Sequence, residues 1–120
     1  MYPAICTPFS ADDTVDLEAQ RRIVRFARDC GSHGIVAFGL AGEVLKLTAD
    51  ERRTLTDLII DEAGAVVPVF VGVGAPSVSA SIELARYAEA GVTQMFLEPN
   101  FQPGGAELQR VLGQMEALAP

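Results

Sequence analysis

Several residue types are scarce in this sequence, and each scarcity limits the sites that it can build. The 120 residues include two cysteines, one histidine, one lysine and no tryptophan. Cys6 and Cys30 lie far apart, and no Cys/His cluster has the spacing of metal ligands, so no metal site is predicted. We expect both thiols to be reduced and at least partly buried, in a reducing, cytoplasmic setting. His33 precedes a predicted strand and is expected to be a surface residue rather than a catalyst.

Positive charge and long hydrophobic runs are also lacking. The net charge is -7 at pH 7 and no run of basic residues occurs, which argues against a nucleic-acid partner. No apolar stretch approaches the roughly 20 residues that cross a bilayer. The N-terminus has no basic segment followed by an apolar one. We therefore expect neither a membrane span nor a signal peptide.

Apolar residues, in contrast, are plentiful and periodic. They make up 49% of the sequence, enough for the core of a single domain over residues 1–120. Short apolar runs alternate with segments of helical periodicity, with a repeat of roughly 30 residues. The predicted strands are 2–6, 35–38, 66–73 and 95–97, and the predicted helices are 17–30, 49–63, 78–90 and 106–118.

This strict alternation with short loops predicts an α/β fold with a parallel sheet and right-handed crossovers. One compatible architecture is a small doubly wound sheet. The other is half of a (β/α)8 barrel, whose full length is typically ~250 residues. The repeat alone does not distinguish them. The inward positions predicted for the first helix are Leu17, Ile23, Val24, Phe26 and Ala27.

The stretch 34–52 combines a buried strand, a glycine turn and a capped helix. Gly39 and Gly42 allow a tight turn on which backbone N–H groups converge. Thr48 and Glu51 form a capping box for the helix that follows. Ligands of parallel α/β proteins lie where strands end in such turns, although a tight loop without a ligand fits equally well. A phosphate loop at 72–77 is a weaker interpretation, because Ser77 occupies the last glycine position of that pattern.

Four groups of residues occur in one order and spacing over essentially the whole chain. They are Ile5-Cys6-Thr7-Pro8-Phe9, Gly39-x-x-Gly42-Glu43 with Leu47-Thr48-x-x-Glu51-Arg52, Pro68-Val69-x-x-Gly72-Val73-Gly74-Ala75, and Pro99-x-Phe101. The set resembles the dihydrodipicolinate synthase / N-acetylneuraminate lyase family. The resemblance implies a TIM barrel, of which this chain holds four βα units, and usually a homotetramer. It also implies a lyase that holds pyruvate or a related 2-keto acid as a Schiff base on lysine, with no cofactor.

The resemblance assigns roles to particular positions. Glu43 is expected to brace the glycine turn, and Thr7 to lie near the floor of the site. Phe101 stands where the family usually has a tyrosine whose hydroxyl relays protons. The keto-acid carboxylate is expected to be bound by the backbone N–H groups of Leu40, Ala41 and Gly42.

Three departures from the family pattern bear on the chemistry. Leu40 and Ala41 replace the usual hydroxyl residues and Phe101 lacks a phenol, so these side chains cannot build a proton relay. An aldolase, a dehydratase or another family member is therefore favoured over the usual synthase wiring. Glu98 is a further candidate acid/base, although a solvated loop carboxylate is the preferred interpretation.

The family's Schiff-base lysine stands on the sixth strand, beyond the four βα units found here. Lys46, the one lysine of this chain, follows the glycine turn in a polar loop and is expected at the surface. We therefore expect the chain alone to be inactive and to pair with a second copy or with a missing C-terminal half. The alternative is a non-catalytic half-barrel or interaction module.

Overall fold

A computed structural model of the chain describes residues 1–86 and 91–96, together with Gly113 and Ala117. Helices and strands alternate through these residues, with short 3-10 turns between some of them. The elements are α1 (Leu17–Asp29), β1 (Ile35–Ala37), α2 (Ala49–Ala63), β2 (Val69–Gly72), α3 (Val78–Ala85) and β3 (Gln94–Phe96). Among the described helices, none is long and apolar enough to cross a membrane.

The strands form a parallel sheet in chain order, β1-β2-β3. In the register, Val36 pairs with Phe70 and Phe70 with Gln94. The segment predicted as the first strand joins the outer edge of β1 through one parallel bridge, between Ala4 and Val36. There the Ile5 N–H donates to the Val36 carbonyl at 2.9 Å. All four predicted strand segments are therefore parallel and consecutive, as a TIM barrel requires, whereas a doubly wound sheet would insert a strand on the other side of the first.

The helix starts follow local capping chemistry. The Asp16 carboxylate accepts the Ala19 N–H at 2.8 Å, and Ser77 caps α3 in the same way. Thr48 and Glu51 form the predicted capping box at the start of α2. These three helix starts agree with the sequence prediction because a cap depends only on neighbouring residues.

The core lies between one face of the sheet and helices α1 and α2. Alternate strand residues Ile35, Ala37, Val69 and Val71 are at most 3% exposed. They belong to one apolar cluster with residues of both helices, Val24, Ala27, Leu55, Leu58 and Ile59. Val36 and Phe70 alternate with them on the other face and are only half-buried. The sheet thus has one closed face and one more open face.

Two sequence predictions of packing are wrong. The third strand begins at Val69 rather than residue 66, because a 3-10 turn at Gly64–Val66 leaves Val66 80% exposed. In α1, Leu17 and Phe26 are 40% and 72% exposed instead of inward, and Gln20 is buried. Helix α1 instead turns Gln20, Val24 and Ala27 to the core, and its arginine side donates hydrogen bonds to Glu62 of α2.

The prediction that both cysteines are at least partly buried is also wrong. Both thiols are free and exposed. Cys6 follows the buried Ile5 in an extended segment and therefore points to the opposite, open side. Cys30 is the C-cap of α1, beyond the packed part of the helix. The end of the third predicted helix, Leu97 and all of the fourth predicted helix except Gly113 and Ala117 lie outside the described residues. The single domain over residues 1–120 stays a prediction.

Candidate functional site

The candidate site is the glycine turn, residues 39–43, which follows the carboxyl end of β1. Leu40–Gly42 form a single 3-10 turn, and Val44–Lys46 form another directly after it. The Gly42 N–H donates to the Gly39 carbonyl at 2.9 Å, and the Glu43 N–H donates to the Leu40 carbonyl at 3.1 Å. The turn is therefore closed by its own backbone, at the edge of the sheet where parallel α/β proteins bind ligands.

Two residues with left-handed backbone lie on either side of the 3-10 turn Leu40–Gly42, and neither is a glycine. Phe38 has a φ of 59° and Glu43 a φ of 51°. Bulky residues rarely adopt this region, and they remain there only where the surrounding structure holds them. Phe38 is also 2% exposed, so the chain leaves the strand through a packed and strained residue. Such strain concentrates at ligand-binding and catalytic sites.

Thr7 joins the glycine turn to the neighbouring strand segment. Its Oγ1 donates to the Gly42 carbonyl at 2.7 Å, across 35 positions of sequence. Thr7 is 8% exposed and Gly42 is buried, so the bond is shielded from water. A Cβ added at Gly42 would lie 3.6 Å from the Ile5 carbonyl oxygen. The structure thus brings together two of the residues that the sequence predicted for the site.

The other predicted binding residues occupy the exposed side of the turn. Leu40 is 78% exposed and Ala41 is exposed as well. Their N–H groups open the 3-10 turn, a position where N–H groups have no acceptor within the helix. The Gly42 N–H is already donated to Gly39. In this conformation the Gly42 N–H is therefore already used within the turn, and binding by the N–H groups of Leu40 and Ala41 stays a prediction.

Glu43 closes the turn with its backbone, while its side chain reaches outward to Lys46. The Glu43 carboxylate and the Lys46 ammonium are 2.5 Å apart, with side chains 44% and 69% exposed. The hydrogen bond to Glu43, together with its charge, raises the pKa of Lys46 above its ordinary value. The exposure of Lys46 agrees with the surface position expected of it. Its raised pKa is the opposite of what a Schiff-base lysine needs.

Arg52 is the residue that sequence reasoning missed. It lies on α2 and is only 7% exposed. Its Nη1 donates to the Gly74 carbonyl at 3.3 Å, its Nη2 donates to the Gly72 carbonyl, and its Cζ lies 5.3 Å from the centre of the Phe38 ring. The signal was present in the helical period, because Arg52 precedes the buried Leu55 by three positions and shares its face.

The remaining candidates are not brought into this site. Phe101 and Glu98 lie outside the described residues. Within residues 1–86 and 91–96, no three His, Cys, Asp or Glu side chains are grouped to hold a metal ion. In segment 72–77, the weaker phosphate-loop candidate, the carbonyls of Gly72 and Gly74 accept hydrogen bonds from the Arg52 guanidinium.

The comparison with known proteins starts from a sequence model. The model of the Dihydrodipicolinate synthetase family matches residues 1–103. The chain belongs to this family. It is 39% identical to 4-hydroxy-tetrahydrodipicolinate synthase of Chlorobaculum parvum over 94 residues. The aligned residues make up 78% of this chain but 32% of that protein. The resemblance inferred from the four motifs is thereby confirmed.

Solved structures agree with the fold. A dihydrodipicolinate synthase from Rhodopseudomonas palustris superposes with a TM-score of 0.80 at 27% identity, covering 99% of this chain and 40% of that one. The N-acetylneuraminate lyase of Proteus mirabilis has the same fold, with a TM-score of 0.84 at 24% identity over 99% of this chain and 42% of its own. This family member thus spans about a third of the curated relatives and two fifths of the solved ones, and its fold is part of a TIM barrel.

Proposed function

We propose that this chain supplies the keto-acid-binding turn of a lyase that acts on pyruvate or a related 2-keto acid through a lysine Schiff base. The observation that carries the proposal is the buried Thr7–Gly42 hydrogen bond, which anchors the glycine turn at the carboxyl ends of two parallel strand segments. TIM barrels place their active sites at that end of the barrel. Membership of a family that includes synthases and lyases supports the same reaction class.

The turn suits a carboxylate by its backbone rather than by its side chains. A keto-acid carboxylate accepts hydrogen bonds on both oxygens, and the N–H groups of Leu40 and Ala41 are the donors that open the 3-10 turn. With the carboxylate fixed, a lysine amine attacks the keto carbon, water leaves, and the resulting iminium draws electrons from the adjacent bond. Proton transfers in these steps need groups other than the side chains of Leu40 and Ala41. This requirement favours an aldolase or a dehydratase over a synthase that uses the usual relay of hydroxyl side chains.

The lysine itself has to come from outside the 120 residues. Lys46 is exposed, paired with Glu43, and has a raised pKa, which keeps the amine protonated and non-nucleophilic. We therefore propose that the chain is inactive when it is alone and that a partner carries the lysine. Of the two partners considered, only a C-terminal half of the barrel can bring that lysine. A homo-oligomer brings further copies of Lys46 and serves association alone. A cytoplasmic setting is a further part of the proposal.

A non-catalytic half-barrel is the second candidate function, and the same observation about Lys46 favours it. A chain whose one amine side chain is held by a carboxylate at the surface has no nucleophile for a Schiff base. In that case the family fold serves only for association with another chain. The two candidates differ in whether keto-acid chemistry appears when a lysine-bearing half is supplied.

Borohydride trapping with pyruvate separates the two candidates. The chain is tested alone and after co-expression with the C-terminal half of the Chlorobaculum parvum synthase, and the adduct is mapped by digestion and mass spectrometry. We expect no adduct on this chain, and an adduct on the supplied half that depends on the presence of this chain. A Lys46→Arg variant should behave like the wild type.

Two outcomes would contradict the lyase proposal in different ways. An adduct on Lys46 would show that the nucleophile has been misassigned. A folded complex of both halves that forms no adduct would favour the non-catalytic half-barrel.

A further inference from the structure

Arg52 connects two loops at the candidate site. Its guanidinium donates to the carbonyls of Gly72 and Gly74, which end β2 and begin the loop to α3. The same group lies against the ring of Phe38, the residue that immediately precedes the glycine turn. One buried side chain of α2 therefore touches the chain where it leaves both β1 and β2.

The contact with Phe38 matters because the backbone of Phe38 is strained. Its φ of 59° lies in the left-handed region, and a bulky residue keeps such a geometry only where neighbours fix it. The planar, charged guanidinium is suited to this because it donates in its plane and stacks on an aromatic ring with its face. The carbonyls of Gly72 and Gly74 fix the guanidinium, and the guanidinium supports the ring.

We infer that Arg52 is a positioning residue that sets the conformation of the glycine turn through Phe38 and couples the turn to the β2–α3 loop. Its effect on keto-acid binding rests on the proposed function, whereas its effect on the turn does not. If the guanidinium is removed, the Phe38 ring loses one supporting surface and the turn loses a constraint at the residue that precedes it.

The test compares variants of the full 120-residue chain by amide hydrogen exchange and by pyruvate titration. The Arg52→Met variant keeps an unbranched apolar stem and removes the donors. The Arg52→Lys variant keeps the charge but not the fork, and remains informative if the first variant does not fold. Arg53→Met is the matched control, because Arg53 is the next residue of the same helix and is exposed.

The expected readout is local. The Gly42 N–H, which bonds to Gly39 across the turn, should exchange on the order of tenfold faster or more in Arg52→Met, with a smaller increase in Arg52→Lys. The N–H of Val24 in the core of α1 and the Arg53→Met control should stay near wild-type rates. Pyruvate should bind more weakly to Arg52→Met by a similar factor.

Other outcomes separate this inference from the proposed function. An unchanged exchange rate at Gly42 in Arg52→Met would overturn the positioning role. An equal increase at Gly42 and Val24 would overturn it as well, because it would indicate only a loss of global stability. The two proposals can also fail separately. If exchange at Gly42 increases locally in Arg52→Met but the wild-type chain shows no binding in the pyruvate titration, the positioning role is supported and the keto-acid site is contradicted.

Discussion

The hydroxyl of Thr7 donates to the carbonyl of Gly42 at 2.7 Å, in a position shielded from water. We expect Thr7→Val to lower the free energy of unfolding by about 1–3 kcal/mol, because the change keeps the shape and leaves a buried carbonyl without its donor. Thr7→Ser keeps the hydroxyl and should cost less. Chemical denaturation monitored by circular dichroism measures both.

The control for this prediction is Thr54→Val, an exposed threonine on α2. Its free energy of unfolding should change by no more than about 0.5 kcal/mol. If Thr7→Val were as mild as Thr54→Val, the hydrogen bond would contribute little to anchoring the turn, and the site would lose the contact on which its assignment depends.

Glu62 of α2 is the acceptor of two arginines of α1. Arg25 and Arg21 donate to its carboxylate at 2.7 and 2.6 Å and lower the pKa of Glu62 from 4.5 to about 2, with Arg25 the larger cause. A lowered folded-state pKa stabilises the protein above the unfolded value and ceases to do so as the pH falls through the folded value. The stability that Glu62 confers is therefore present above pH 4.5 and is lost between about pH 4.5 and 2.

The Glu62→Gln variant tests this pH dependence. It should be less stable than the wild type at pH 7, and the difference should shrink as the pH falls through that window, as measured by urea denaturation at a series of pH values. Asp61→Asn is the control, since Asp61 is the preceding, exposed residue. A difference between Glu62→Gln and the wild type that stays constant from pH 7 to pH 2 would argue against the arginine pairing.

Gln20 is buried at 1% exposure in α1, and its Nε2 has no hydrogen-bond partner among the described residues. We expect Gln20→Leu to raise the free energy of unfolding by about 1–2 kcal/mol, because it replaces an unsatisfied amide by an apolar side chain of similar size. Thermal and chemical denaturation measure the gain. Arg22→Leu, at an exposed position of the same helix, should change stability far less, and a loss of stability in Gln20→Leu would contradict the prediction.

The features that the sequence predicted correctly are those with local causes. The predicted helix starts at residues 17, 49 and 78 are all found, and each follows a cap, at Asp16, Thr48 and Ser77, that depends on side chains within three residues. The order of the parallel strands follows from the repeat and the family motifs. By contrast, Val66 belongs to an apolar run but lies outside the strand, since the extent of a strand depends on where its neighbours pair.

The site was predictable in its position and less so in its contacts. The glycines of the motif located the turn, yet the left-handed residues are Phe38 and Glu43. The helical period places Arg52 on the buried face of α2, but its partners lie 14 to 22 positions away and could not be identified from the sequence. Long-range packing decides these contacts, and local patterns carry little information about it.

The open side of this half-barrel is the basis of the last prediction. The bridge at Ala4 leaves the outer edge of the first strand segment unpaired among the described residues. On α1, Phe26 is 72% exposed and Cys30 is exposed one turn later, on the side away from the arginines that bind α2. Bare edges and exposed aromatic side chains promote association.

We therefore expect the 120-residue chain to associate at micromolar concentration, with a second copy covering this surface as the other half of a barrel would. Light scattering should give a mass of at least a dimer, and Phe26→Lys should shift the equilibrium towards monomer by placing a charge at the exposed position. The matched control is Arg22→Lys, because Arg22 is an exposed residue of the same helix and the substitution leaves the charge unchanged. A soluble wild-type monomer with one cooperative thermal transition would contradict the prediction, because it would mean that the open edge and the Phe26 side of α1 need no partner.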